Sequence, residues 1–452
     1  MRLNNYISTN YSNYKTSKSK IFYPKNKKEI FKLIDFCSRK KLKILSIGSS
    51  LSWYDTIFNT NNIIINFKDY EKVFKIDKKK GILIVSSFYK ISEILEKINK
   101  FSWTICSTPG NPDVTIGGCI SNDVHGKDTF KQGNFGENVL ELEMILSNKK
   151  VIKCSKYKNS KIFRAALGGL GLLGIITQIK LKLKKKKKTY VTTNYTCRNY
   201  KELIKEIYRD RNRFDYIYGW IDLYSKKRQL GRGVIFKSKA DNFSKAKYFN
   251  SGSLISQIKN LIKQIIFSFC SRFNFMKYLN FLFYKSFLFK SKNFKSSYKE
   301  VAWPLDINGI NIKKCIYPNS FFEIQIIINK KNLPDGLKDF ILKCQNLKIN
   351  SLITGIKMHK KNNNFLSFSN DGVSLNIHQI FNKKNEEVQK VKFRKLYQYI
   401  LNKNYKIYLC KDFFLNKNTF KKNYKLSNEF LKIKKRIDKK ELFRSDFLTR
   451  VK

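Results

Sequence analysis

Two glycine-containing junctions, each reached at the end of a short apolar stretch, constrain this chain more than any other feature. In the first, KILSI (43–47) runs straight into GSSLSWYD (48–55). The second lies in DVTIGGCISNDVHGK (113–127), where the pattern predicts a strand over Val114–Ile116 meeting Gly117–Gly118. Glycine has no Cβ, so the backbone N–H groups of such a junction can approach a phosphate closely. Ser49, Ser50 and Ser52 add hydroxyls to the first loop. Either junction alone reads equally well as a plain turn. Two in one domain point to a shared diphosphate.

The surrounding pattern alternates helix and strand, as an α+β or α/β domain would. Ile30, Leu33, Ile34 and Cys37 recur at helical spacing, as do Ile91, Ile94, Leu95 and Ile98. IIINF (63–67) and ILIVSS (82–87) read as strands. VLELEMIL (139–146) predicts a half-buried strand with Leu140, Leu142, Met144 and Leu146 on the buried face. KIFRAAL (161–167) is a short helix, followed by glycines and the alternating strand IITQIKLKL (175–183). Lys184 to Lys188 form a run of five like charges, which prefers solvent and marks a domain boundary. Beyond it, YIYGWIDL (216–223) and FFEIQIIIN (321–329) are strands of a second domain.

GGLGLLG (168–174) holds a literal G-x-G-x-x-G, yet a helix precedes it and a strand follows. The dinucleotide fingerprint requires the reverse order and a downstream acid, so the stretch reads as a tight turn close to a ligand. No Walker A, H-E-x-x-H or G-x-S-x-G motif occurs, and the histidines are His125, His359 and His378. No metal centre is expected. Nine cysteines without a C-x-x-C support neither a disulfide scaffold nor a zinc site and point to a reducing compartment. The opening MRLNNYISTNYSNYKTSKSK has no apolar h-region, so no secretory leader is expected. The formal net charge of +59 invites nucleic acid as a partner. The excess is mostly lysine spread along the whole chain, which reads as compositional drift with solvated lysines; no specific nucleic acid is expected.

One segment keeps two readings. Leu254, Ile258, Leu261, Ile262, Ile265 and Phe269 form an apolar stripe with Lys259 and Lys263 elsewhere on the helix, continued by FMKYLNFLFYKSFLF (275–289). It is either a basic amphipathic element lying on an anionic membrane or a helix packed on the domain core. No uncharged run is long enough to span a bilayer.

The order GSSLSWYD, PGNPDVTIGGCISNDVHGK, NFGENV (134–139) and FRAALGGLGLLGIIT (163–177) resembles the FAD domain of the vanillyl-alcohol-oxidase/PCMH superfamily. GWIDL (219–223), LGRG (230–233), WPLD (303–306), FEIQ (322–325), GIK (355–357), YLCKD (408–412) and LFRSDFLTR (442–450) extend the likeness to the decaprenylphosphoryl-β-D-ribose 2′-oxidases. The resemblance implies an α+β fold: a two-subdomain PCMH-type FAD-binding domain over 1–187, an antiparallel-sheet substrate (cap) domain over 188–405, and a C-terminal segment, 406–452, returning to the FAD domain. It implies cofactor contacts from Gly48, Ser49, Ser50, Leu51, Ser52, Trp53, Tyr54 and Asp55. Pro109, Gly110, Thr115, Gly117, Gly118, Asn122, Asp123, His125 and Gly126 would add to them, with Gly174, Lys411 and, through backbone, Ile175 and Ile176. His125, Lys127, Gln325, Lys357 and Lys411 match polar catalytic residues around the flavin and sugar.

Three departures stand out. Asn376 replaces the family's flavin-side cysteine, with Ser374 beside it. His378 replaces an acid. Glu323 replaces the first glutamine of a Gln-x-Gln pair. GSSLSWYD lacks a tethering histidine, so FAD is expected to be non-covalent. The implied reaction moves hydride from a sugar carbon to flavin N5, giving a ketone. On the 2′-hydroxyl of a polyprenylphosphoryl ribose it would be half of an epimerisation to arabinose, completed by a short-chain dehydrogenase/reductase partner. The implied place is cytoplasmic, peripheral at the inner face of the membrane. An aldonolactone or alditol oxidase on the same fold is the alternative, and a basic nucleic-acid-binding protein the remote one.

Overall fold

The computed structural model describes residues 2–241, 254–273, 275–289, 292–304, 312–316, 318–349 and 351–452; the side chains of 254–259 and 312–313 are outside that description. Leu305 and Asp306 of the WPLD stretch, and the side chains of Leu254 and Ile258, therefore lie outside the described residues.

Three large sheets and one two-stranded ladder organise the described α+β chain. In the first, Thr16–Phe22, Ile63–Asn66 and Ile44–Ile47 run parallel, and Asn4–Thr9 closes the edge antiparallel. The parallel step needs a crossover, supplied by the helix Lys27–Arg39. Asn26 caps that helix by accepting from the Glu29 N–H at 3.1 Å, and Ile30, Leu33, Ile34 and Cys37 form its buried stripe. The second sheet is antiparallel, in the order Phe74–Asp77, Ile82–Ser86, Ile175–Lys182, Val139–Ile145 and Val151–Ser155. The third has eight antiparallel strands, from Asn293–Ser296 at one edge to Ser320–Asn329 and Lys406–Ile407 at the other. The chain's end returns to the first sheet: the Ile44 N–H donates to the Leu442 carbonyl, and the Arg444 N–H to the Ile44 carbonyl.

Three local expectations are corrected. Val114–Ile116 is not a strand. Thr115 caps a short helix, Ile116–Ser121, so Gly117 and Gly118 sit in its first turn. A Thr side chain that accepts a backbone N–H outweighs the β-branched pattern here. Leu140 is exposed, because Lys180 pairs with Glu141 while Leu181 pairs with Val139. That irregularity leaves Leu140 without a partner and turns it off the buried face. Lys184 is not a solvated member of its run. Lys184–Lys185 pairs with Trp103–Thr104, and the Lys184 ammonium lies 2.6 Å from the buried Asp128 carboxylate.

The strand Ser320–Asn329 explains how the site is carried. SFFEIQIIIN is buried on both faces from Phe321 to Ile328. Such strands are normally continuous hydrophobic runs. Glu323 and Gln325 break the run, and both are buried. Buried polar side chains in a core strand need partners, and these two point to the site.

Candidate active site

A cavity of about 1880 Å³ lies where the two FAD-side sheets meet the eight-stranded sheet. That exceeds the ~300–1,000 Å³ of a pocket for one small ligand. One wall is built from the glycine loops. The strand Ile44–Ile47 ends at Gly48, and the Ser49 hydroxyl donates to the Asp113 carbonyl, tying one loop to the other. The fit is close. A Cβ on Gly48 would stand 2.1 Å from Thr115 Oγ1, the atom that accepts the Gly118 N–H. The Gly117 N–H donates to the Ser87 carbonyl at 2.8 Å, and Ser87 Oγ donates to the Ile176 carbonyl at 2.6 Å. Trp303 Nε1 donates to the Pro109 carbonyl and holds the neighbouring Gly110 loop, where no described atom beyond the adjoining residues lies within 4 Å of the place a Cβ would occupy.

This wall suits a dinucleotide. Ser46 Oγ, Asn122 Oδ1 and His125 Nε2 are buried along the cavity without a hydrogen-bond partner among the described residues. Buried polar atoms are otherwise nearly always paired, so these three are arranged for a bound group.

At the far end five polar residues, His125, Glu323, Gln325, Lys357 and Lys411, converge on one patch. Lys411 Nζ is 2.7 Å from Glu323 Oε1. Lys357 Nζ is 3.0 Å from His125 Nδ1. With Lys357 as the donor, charged or neutral, Nδ1 is the acceptor and the proton sits on Nε2, the unpaired atom facing the cavity. Gln325 Nε2 donates to Ser374 Oγ at 3.3 Å, and Ser374 Oγ is 2.9 Å from His359 Nε2. Burial pushes the Lys357 ammonium well below the ordinary lysine range, and the charges of Lys127 and Lys411 push the same way. Burial also lowers all three histidines, with Lys357 adding to the effect at His125 and His359. Glu323, 3.6 Å from His378 Nε2, does not offset that burial.

Of the residues singled out above, Gly48 to Trp53, Pro109, Gly110, Thr115, Gly117, Gly118, Asn122, His125, Gly174 and Ile176 line the cavity with Lys127, Gln325, Lys357 and Lys411. Five do not. Tyr54 stacks on Phe413 at 4.8 Å, on the side away from the cavity. Asp55 is paired with Arg450. Asp123 is buried and accepts from Asn134, Asn362, Asn364 and the Gly136 N–H, bracing the loop from behind. Gly126 packs against Ser107, and Ile175 is fully buried in a separate core cluster. Each adjoins a lining residue in sequence but faces the other way. The turn at 168–174 reaches the cavity through Leu170, Gly171 and Gly174. Sequence reasoning assigned no site role to Trp303 or Tyr408, which line the cavity, or to His359, which stands behind it against Ser374; the segment carrying Phe267, Met276, Leu279 and Phe283 was read as membrane-lying or core-packed, not as the cavity's roof. The available signals were that His359 is one of three histidines in the chain and that Trp303 and Tyr408 open the WPLD and YLCKD stretches.

Residues 19–155 match the family model of the FAD binding domain. The chain therefore carries an FAD binding domain of the PCMH type, and FAD is its cofactor. It is 25% identical over 195 residues to decaprenylphosphoryl-beta-D-ribose oxidase of Mycolicibacterium smegmatis, covering 42% of this chain and 42% of that one. It is 24% identical over 160 residues to L-gulonolactone oxidase of Bos taurus, covering 35% and 36%. Cytokinin dehydrogenase 3 of Arabidopsis thaliana is 28% identical over 170 residues, covering 36% and 32%. The chain thus spans less than half the length of each of these relatives.

Proposed function

We propose that this protein is an FAD-dependent oxidoreductase that oxidises a secondary alcohol of a sugar to a ketone, with the 2′-hydroxyl of a polyprenylphosphoryl ribose as its substrate. One observation carries the choice of substrate. The cavity joins a polar end, at His125, Gln325, Lys357 and Lys411, to an apolar end under Met276, Leu279, Phe283 and Phe287. A sugar head with a prenyl tail has the same division.

FAD would be held non-covalently by the loops at Gly48–Trp53 and Pro109–Gly118 and would supply a two-electron hydride acceptor. The protein's own groups do the rest. Gln325 and the His125 Nε2–H orient the hydroxyl. Lys357, made less basic by burial, takes the hydroxyl proton as the C–H bond breaks. Lys411 places a cation where negative charge accumulates, and Glu323 holds that cation in position. The ketone product calls for a reducing partner, a short-chain dehydrogenase/reductase, to complete an epimerisation.

The similarity to L-gulonolactone oxidase favours a second reading, oxidation of an aldonolactone or alditol. Anaerobic mixing separates the two. Bleaching of the flavin band by polyprenylphosphoryl ribose supports the first. Bleaching only by lactone or free polyol replaces it with the second. A preparation that binds no FAD overturns both.

A further inference from the structure

The helices Leu254–Arg272 and Met276–Phe289 form a hairpin over the cavity. Its inner side is seated on the eight-stranded sheet. Phe283 packs edge-on against Trp220 at 4.9 Å, Phe287 against Phe236 at 5.4 Å, and the Arg232 guanidinium lies 4.8 Å over the Tyr284 ring. Ser268 Oγ donates to the Cys315 carbonyl at 2.7 Å and anchors the first helix.

The outer side is unlike an ordinary surface. Leu261, Ile265, Phe269 and Phe273 are each more than half exposed, as are Leu282 and Phe289, the last at 88%. Leu261, Ile265, Phe269 and Phe273 follow at four-residue spacing along the first helix and its end, with the Phe269 and Phe273 rings 4.8 Å apart, and Leu282 and Phe289 lie on the second. Isolated exposed apolar residues are normal, whereas a contiguous set marks an interaction surface. A helix that is apolar beyond its buried stripe meets something apolar on its other side.

Charge identifies what covers it. Between 254 and 289 there are five basic residues, Lys259, Lys263, Arg272, Lys277 and Lys285, and no acidic residue. A second copy of the chain would set basic faces against each other. An anionic bilayer supplies both the apolar medium and the opposite charge. Among the described residues no helix is long and apolar enough to cross a membrane, so the hairpin would lie in the interface.

We infer that the hairpin docks this protein on an anionic lipid surface, and that the cavity's apolar end, roofed by the same two helices, faces that lipid. The surface stands on the exposed side chains. The passage of substrate beneath the hairpin rests on the lipid-linked sugar reading above. The inner residues Phe267, Met276, Leu279 and Phe283 line the cavity, while the outer residues Ile265, Phe269 and Leu282 do not. One hairpin thus contacts the membrane on one side and the prenyl tail on the other.

The test is flotation of the FAD-loaded full chain with vesicles of phosphatidylcholine alone or mixed with phosphatidylglycerol, at low and high salt. The comparison is a triple variant, Ile265→Glu, Phe269→Glu and Leu282→Glu, whose flavin content reports its folding. The expected result is flotation with the mixed vesicles, weakened by salt and reduced ~10-fold or more in the triple variant. The inference is overturned by no flotation of the unmodified protein, by equal flotation with neutral vesicles, or by equal flotation of the folded variant. A salt-resistant dimer of the unmodified protein that the triple variant dissolves, without vesicle binding, also overturns it. Flotation without flavin reduction by polyprenylphosphoryl ribose sinks the substrate reading and leaves the docking surface. Reduction without flotation does the reverse.

Discussion

Lys411 Nζ stands 2.7 Å from Glu323 Oε1, pairing a cation at the cavity with a carboxylate buried in the strand Ser320–Asn329. The carboxylate fixes the ammonium but also offsets part of its charge. Lys411→Met is expected to slow flavin reduction ~100-fold or more, the usual loss for one transition-state donor. Glu323→Gln is expected to act in the opposite sense on the cofactor, raising the flavin midpoint potential by ~30 mV or more as the cation becomes uncompensated. Stopped-flow absorbance and a redox titration check the two. A negative shift in the Glu323→Gln variant would refute the assignment.

Lys357 must be neutral to accept a proton. Burial lowers its ionisation below the ordinary lysine range, so the reductive rate should rise with pH through a midpoint well under the usual ~10.4. Lys357→Met should abolish that limb of the profile and lower the rate ~100-fold or more. An unchanged limb in the variant assigns the proton to another group.

Gly110 offers a control on the cofactor's path. A methyl group there meets no described atom beyond the adjoining residues within 4 Å, so Gly110→Ala should leave the melting temperature of the FAD-free protein unchanged. If the cofactor passes this loop, the same change should weaken FAD binding ~10-fold or more. Gly48→Ala, aimed at Thr115 Oγ1, should impair both folding and FAD binding. Fluorescence titration with FAD separates the two variants.

The three histidines should make the fold acid-sensitive. Their folded-state pKa values lie below the unfolded value of ~6.5. As pH falls through ~6.5 the unfolded chain takes up protons that the fold does not, so stability drops. The limiting slope is ~1.4 kcal/mol per pH unit for each imidazole. Denaturant titrations between about pH 7.5 and 5.5 should show this slope. His359→Gln should reduce it, and an identical slope in that variant would exclude His359.

Arg450 clamps the C-terminus. It bonds both oxygens of Asp55, at 2.7 and 2.9 Å, and Asp412 Oδ2 at 3.0 Å. Arg450→Met leaves two buried carboxylates unpaired and should cost about 3–5 kcal/mol. Burial already raises the Asp55 carboxyl, and loss of Arg450 raises it further. A carboxyl with a raised folded pKa favours the fold below the unfolded value of ~3.9 and loses that contribution as pH rises. The variant's deficit should therefore be larger at pH 7 than at pH 4 in chemical denaturation.

The local periodicity of the chain determined much. Helical spacing placed Ile30 to Cys37 and Ile91 to Ile98 on the buried faces of Lys27–Arg39 and Ile91–Asn99. The glycine junctions marked the loops that line the cavity, because a missing Cβ is written in the sequence. Tertiary structure alone decided which neighbours face the ligand. Trp53 lines the cavity while Tyr54 stacks on Phe413, and His125 lines it while Asp123 two residues before it does not, since each loop's path is set by partners far along the chain: Cys410 for Trp53, Lys357 for His125. The Lys184–Asp128 and Lys411–Glu323 pairs join residues distant in sequence, and no local pattern reports such a meeting. The hairpin shows the same limit. Its stripe was legible, but only the packing of its inner side on the sheet showed that the outer apolar side is left uncovered, because burial is a property of the assembled surface and not of any one segment.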